Sequence, residues 1–221
     1  MFRKCLLAIA AISPWVIRKI LLRTLCGARF GEGAHVGFSY IDTQLLELGP
    51  GAWIGSLNVV RHVREVRLES GAVLGNLNSV SGMSVLTGTD DNGRYKSATL
   101  VIRSGGVVTN RHYMDVHADI EVGQMAIVAG VRSTFFTHSI DLAANRQVIA
   151  PISVGDRSFV GTNSVLLPGA HVPERCAVAA GSVVTGRLEE PGCLYGGVPA
   201  RRIKAFPEGA AFFNRVDAEV K

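Results

Sequence analysis

Three of the six histidines in this 221-residue chain stand close to carboxylates at spacings that can do chemistry. His138 comes two residues after the aromatic pair Phe135 and Phe136 and three before Asp141. Imidazole titrates near neutral pH, so a histidine placed this way suits removal of a proton from a hydroxyl. Asp141 or a backbone carbonyl would orient its ring. Upstream, the stretch VVTNRHYMDVHAD gathers Asn110, His112, Asp115 and His117. His112 and His117 are five apart, a spacing that metal sites use, and His138 would be the third ligand of such a site. A basic trio, Arg201, Arg202 and Lys204, offers charge to an anionic ligand or forms a solvated tail. No Cys or Ser sits in a nucleophile motif, so a covalent acyl-enzyme is not expected.

The elements that hold these residues must be built from small aliphatic side chains, since the chain is 48% apolar but only 7% aromatic. One principal domain is expected at this length. Cys5, Cys26, Cys176 and Cys193 are scattered without CxxC spacing, which fits buried thiols better than a disulfide framework or a zinc knuckle. The net charge of +5 suits an anionic partner, but there is no dense Lys/Arg run and no aromatic stacking motif, so no nucleic acid is expected. Residues 5 to 17 are an apolar run broken by Pro14, too short to span a bilayer. On a helical wheel for residues 15 to 26, Val16, Ile17, Ile20, Leu21 and Leu25 oppose Arg18, Lys19 and Arg23. Residues 1–26 are therefore expected to lie on an anionic membrane surface, to cover the end of the next domain, or both.

A six-residue period organises the rest. Aliphatic or aromatic pairs six apart begin at Phe30/Val36 and recur at Leu48/Ile54, Leu68/Leu74, Ile102/Val108, Val122/Val128, Val154/Val160 and Val172/Val178. Successive starts differ by 18, 20, 34, 20, 32 and 18 residues, so three hexads make a coil and two coils carry large loops. Glycine follows eight of these fourteen residues, as expected where a chain turns every six residues or where backbones approach closely. Three short strands per coil then form three parallel sheets around a narrow prism, each aliphatic stacking on its equivalent one coil away. The loops fall near 87–99, polar and turn-rich, and near 135–149, which contains His138 and Asp141.

The closing stretch carries a specific resemblance. VGDRSFVGTNSVLLPGAHVP, then AAGSVVT, then GGVPARRI, preceded by THSID, is similar to the final coils of the hexapeptide-repeat O-acetyltransferases of maltose, galactoside and capsule or exopolysaccharide (colanic-acid) type. That resemblance implies an all-β, left-handed parallel β-helix at 30–190, between an N-terminal helical segment at 1–29 and a coenzyme A-binding turn and tail at 191–221. It implies transfer of an acyl group, acetyl first of all, from acetyl-CoA to a sugar hydroxyl of a polysaccharide or lipid-linked glycan, without a metal. By the same resemblance His138 is the general base and the backbone N–H of Thr162 stabilises the oxyanion. Gly161, Ala180, Thr185, Gly197, Arg201 and Lys204 hold the cofactor. The substrate side falls to Asn110, with His112 and Asp115 beside it. A homotrimer in the cytoplasm, with peripheral contact to the inner face of the membrane through residues 1–26, completes the expectation. Two rivals stand beside it. One is a metal-dependent hydratase resembling the γ-class carbonic anhydrases, using His112, His117 and His138, although that family places the isolated histidine before the close pair. The other is a β-helix scaffold without chemistry.

Overall fold

The computed structural model describes residues 2–82 and 98–217. Each coil lays two or three residues on a face before it must turn, so most strands are very short. One face stacks Phe30, Leu48, Leu68, Ile102, Val122, Val154 and Val172 in register. A second stacks Val36, Ile54, Leu74, Val108, Val128, Val160, Val178 and Tyr195. The third stacks Ile41, Val60, Val80, Met114, Phe135, Leu166 and Val184. Apart from half-buried Phe30, these side chains fill one continuous core. The architecture is a parallel β-helix, and the pairs six apart in sequence are its first-face and second-face inward positions, residue for residue. On the outside of the first face, Arg29, Glu47 and Arg67 pair along the stack, which assigns part of the charge to structure.

The strands Tyr40–Leu48 and Val59–Leu68 run round the corner between the third and first faces and join them into one sheet. The recurrent glycines prove to be needed for close approach. A Cβ on Gly75 would lie 2.3 Å from the Thr109 carbonyl oxygen, and one on Gly161 2.6 Å from the Ala180 nitrogen, both on the next coil.

The corner between the second and third faces carries a buried polar column. Ser39 Oγ accepts the Asn58 N–H at 3.0 Å, Asn58 Oδ1 that of Asn78 at 2.8 Å, and Asn78 Oδ1 that of His112 at 2.9 Å. His112 Nδ1 then accepts from Ser133 at 3.1 Å, and Ser133 Oγ from Ser164 at 3.3 Å. Backbone donors that the turn leaves unpaired are satisfied one coil at a time.

The N-terminal segment is two helices, α1 (Phe2–Ile12) and α2 (Trp15–Cys26), broken at Pro14 and packed over the first coil. The wheel's division of α2 into Val16, Ile17 and Ile20 against Arg18 is kept, and it is the Arg18 side that packs inward. Arg18, Leu22 and Cys26 face inward, while Val16, Ile17 and Ile20 face outward. Arg18 donates to the carbonyls of Ala10 (3.0 Å), Val36 (2.6 Å) and Ser13, and its guanidinium lies 4.4 Å from the Phe38 ring centre. It closes the last turn of α1 and ties the hairpin to the first coil. Arg3 does similar work, pairing with Asp42 and donating to the carbonyls of Leu25 and Thr43. No helix among the described residues is long and apolar enough to cross a membrane. At the other end, Arg201–Ala205 turns back antiparallel on Cys193–Gly196.

Of the loop expected at 87–99, residues 87–97 lie outside the described residues, and Thr99 already begins a strand of the first face.

Candidate active site

The loop near 135–149 divides in two. Thr134–Phe136 continues the third face, and only then does the chain leave the prism as a two-stranded hairpin, His138–Asp141 against Arg146–Ile149. His138 therefore stands at the root of the hairpin, where the third face turns toward the first. On the neighbouring coil Asp115 ends the third-face strand in register with Phe136, and His117 follows two residues later.

Asp115 is almost wholly buried and lies between two imidazoles: Oδ2 is 2.5 Å from His138 Nδ1 and Oδ1 2.6 Å from His117 Nδ1. A carboxylate accepts, so both rings donate from Nδ1 and each Nε2, on the far side of its ring, carries the lone pair. The two rings lie against each other, with centres 4.1 Å apart. Thr137 holds the bend rigid, donating from Oγ1 to the Asp115 carbonyl at 2.7 Å and accepting the N–H groups of His117 and Ala118 at 2.8 and 3.0 Å. His138 is about one third exposed and opens onto a depression lined by Ile140, Asn145, Arg146 and Gln147.

Several sequence expectations change here. The partner that orients His138 is Asp115; Asp141 instead accepts the N–H groups of Ala143 and Ala144, both at 3.1 Å, and shapes the hairpin tip. Asp115, expected on the substrate side, is buried beneath the imidazoles with both carboxylate oxygens engaged by them. His112 belongs to the buried polar column, its Nε2 3.0 Å from Thr109 Oγ1, so it reaches neither an acceptor nor a metal shared with His117. Burial pushes its pKa down to about 4, and the ring stays neutral. Asn110 sits at the same corner, where its Oδ1 accepts from the backbone and side chain of Asn76 at 2.7 and 3.0 Å. Among the described residues, those whose donor atoms converge closely enough for a cation are Asp115, His117 and His138, and the carboxylate is already engaged by both rings.

Thr162 bonds through Oγ1 to both the N–H and the carbonyl of Val131, on the edge of the third face opposite His138. Gly161, Ala180 and Gly197 stack on that same edge, and Gly197 N–H reaches Ser182 Oγ at 3.3 Å. Gly197 has a left-handed backbone, φ +100°, and the turn that follows it lies against Val183. Thr185 is exposed just past the third-face strand that ends at Val184. Arg201 and Lys204 are exposed on the returning strand, whereas Arg202 is paired with Glu190 at 2.9 Å. One copy of the chain thus keeps His138 on one edge of the third face and Gly161, Thr162, Ala180 and Gly197 on the other.

The family model for the hexapeptide repeat of succinyl-transferase matches residues 151–186. The chain has the fold of the hexapeptide-repeat proteins. A hexapeptide-repeat-containing acetyltransferase from Vibrio cholerae O1 biovar eltor, solved with acetyl coenzyme A, superposes with a TM-score of 0.53 at 19% identity, covering 93% of this chain and 86% of that one. An N-acyltransferase from Bacillus cereus, solved with dTDP and 3-hydroxybutyryl-CoA, gives 0.55 at 14% identity over 87% and 89%. A variant of that enzyme with dTDP-4-amino-4,6-dideoxyglucose and coenzyme A gives 0.52 at 16% over 86% and 89%. No curated protein sequence matches. The six-residue period does not require the Asp115, His117 and His138 cluster.

Proposed function

We propose that this chain is an acyl-CoA-dependent acyltransferase that moves an acetyl group from acetyl-CoA to a sugar hydroxyl of a glycan, with His138 as the base. The observation that carries the reading is the buried carboxylate of Asp115 holding Nδ1 of His138. It fixes the tautomer that leaves Nε2 free to take a proton and stabilises the imidazolium that results. A hydroxyl needs this help to attack a thioester, whereas a neutral amine is nucleophilic already, so the dyad favours O-transfer over N-transfer. The acetyl-CoA and coenzyme A complexes of structures with the same fold support the donor, and the dTDP-amino sugar complex supports an acceptor of the sugar class.

His138 of one copy meets the edge carrying Gly161, Thr162, Ala180 and Gly197 of the next in a homotrimer. There the Thr162 N–H faces the oxyanion and Arg201 and Lys204 face the phosphates of the donor. Thr185, past the neighbouring corner, borders the donor's path.

The test is a crossed one. The full chain is incubated with acetyl-CoA and a panel of neutral and amino sugars, and the products are read by mass spectrometry. His138→Ala should lower turnover by roughly two to four orders of magnitude with acetyl-CoA affinity nearly unchanged. Asp115→Asn should also lower turnover, and Asp141→Ala should leave it close to normal. Arg201→Ala should weaken acetyl-CoA binding by about 1–2 kcal/mol while saturated turnover stays. Full turnover in folded His138→Ala sinks the mechanism; acetylation confined to amino groups sinks the acceptor class.

A further inference from the structure

The N-terminal hairpin packs the wrong way round for a helix that merely covers a core. On α2 the inward stripe is Arg18, Leu22 and Cys26, while Val16 and Ile20 are 70% and 58% exposed. On α1 the outward stripe runs through Phe2, Ile9 and Ile12, with Phe2 78% and Ile12 77% exposed. A globular helix normally does the reverse, placing its cation in water and its isoleucines in the core. Here the hydrogen bonds of Arg18 to three backbone carbonyls lock the inverted orientation in place. The result is a set of exposed apolar side chains on both of two neighbouring helices, an apolar ridge of Phe2, Ile9 and Ile12 with Val16, Ile17 and Ile20.

Charge identifies the occupant. No Asp or Glu occurs before Glu32, and the ridge is bordered by exposed Lys4 and Arg23 and half-buried Lys19. Lys19 and Arg23 lie 5.8 and 5.9 Å from the Phe30 ring centre, on the same helix as Val16 and Ile20. Two copies meeting through this face would oppose cation to cation without a carboxylate to answer them. A fluid anionic surface accepts both parts, the isoleucines entering the acyl boundary while the cations stay among the phosphates, and it needs no groove of matching shape.

We infer that the α1–α2 hairpin is a docking surface for an anionic lipid bilayer, lying in its interface without crossing it. The test reads lipid binding and not turnover, so it stands or falls apart from acyl transfer. The full chain is sedimented with vesicles of phosphatidylcholine alone and with vesicles containing about 30% phosphatidylglycerol. Binding should be at least about tenfold stronger to the anionic vesicles and weaken steeply with salt. I12E/V16E/I20E should lose it by a similar factor with an unchanged thermal melt, since all three side chains project from the fold. K4E/R23E, which keeps the ridge, should lose the preference for anionic lipid. Equal sedimentation of the parent and I12E/V16E/I20E overturns the inference. So does a parent chain that stays in the supernatant with both vesicles. A lipid-free parent whose mass by light scattering falls in I12E/V16E/I20E also overturns it, because the ridge would then serve a second copy.

Discussion

At the scale of single residues, His112 and His138 are the same side chain under opposite demands. In the proposed reaction His138 must keep an accessible lone pair, and Asp115 arranges that from below. His112 is a rung in a column, and its Nδ1 does for Ser133 what Asn78 Oδ1 does for His112. A neutral His112 with a pKa near 4 links folding to acid. Below the unfolded value of about 6.5, the unfolded chain takes up a proton that the folded chain refuses until about pH 4. The stability from this residue is therefore complete above about pH 6.5 and is lost as the pH falls toward 4, on the order of 3 kcal/mol in all. His112→Asn should keep the column, because Asn58 and Asn78 already fill equivalent rungs, and should flatten that part of the acid slope. Chemical denaturation of both proteins across this range checks it; parallel slopes would show that His112 does not carry the effect.

At the scale of elements, the prism was legible because its cause is periodic. Val36, Ile54 and Leu74 are buried for one shared reason, and a reason that repeats every six residues can be read from one chain. The glycines were legible as a set, and the structure resolves their cause into steric need. Gly75→Ala would push a methyl to 2.3 Å from the Thr109 oxygen, so the coils must part, at a cost of about 1–3 kcal/mol or more. Gly186, with nothing near its missing Cβ, should accept alanine within about 0.5 kcal/mol. Thermal melts of the two variants make the comparison, and equal melts would mean that the coil spacing adapts. The dyad was half legible. His138 announces itself at the start of a break in the period, but Asp115 lies a coil away, and which carboxylate meets it depends on the register between the two coils. The polar column did leave a signal, a Ser, Asn or His four residues after Ile54, Leu74, Val108, Val160 and Val178. The orientation of α2 left none that a wheel can show, because a wheel sorts apolar from polar and Arg18 is buried through hydrogen bonds to carbonyls on three sides.

At the scale of the whole molecule, the proposed chemistry needs more than one copy, since His138 and the Gly161, Ala180 and Gly197 edge are separated by the width of the third face. Light scattering should give three times the chain mass of 23.5 kDa, and full activity from a monomer would refute the shared site. The returning strand Arg201–Ala205 has a meaning of its own in such an assembly. A stack of parallel coils contains nothing that tells it to stop, and its last rung is a template for another chain's first. Because Arg201–Ala205 lies antiparallel on Cys193–Gly196, it occupies that template with hydrogen bonds of the wrong polarity for continued growth. The strand that carries Arg201 and Lys204, proposed to meet the donor's phosphates, thus also closes the second sheet, and its deletion would be felt as fibre growth as well as weakened donor binding.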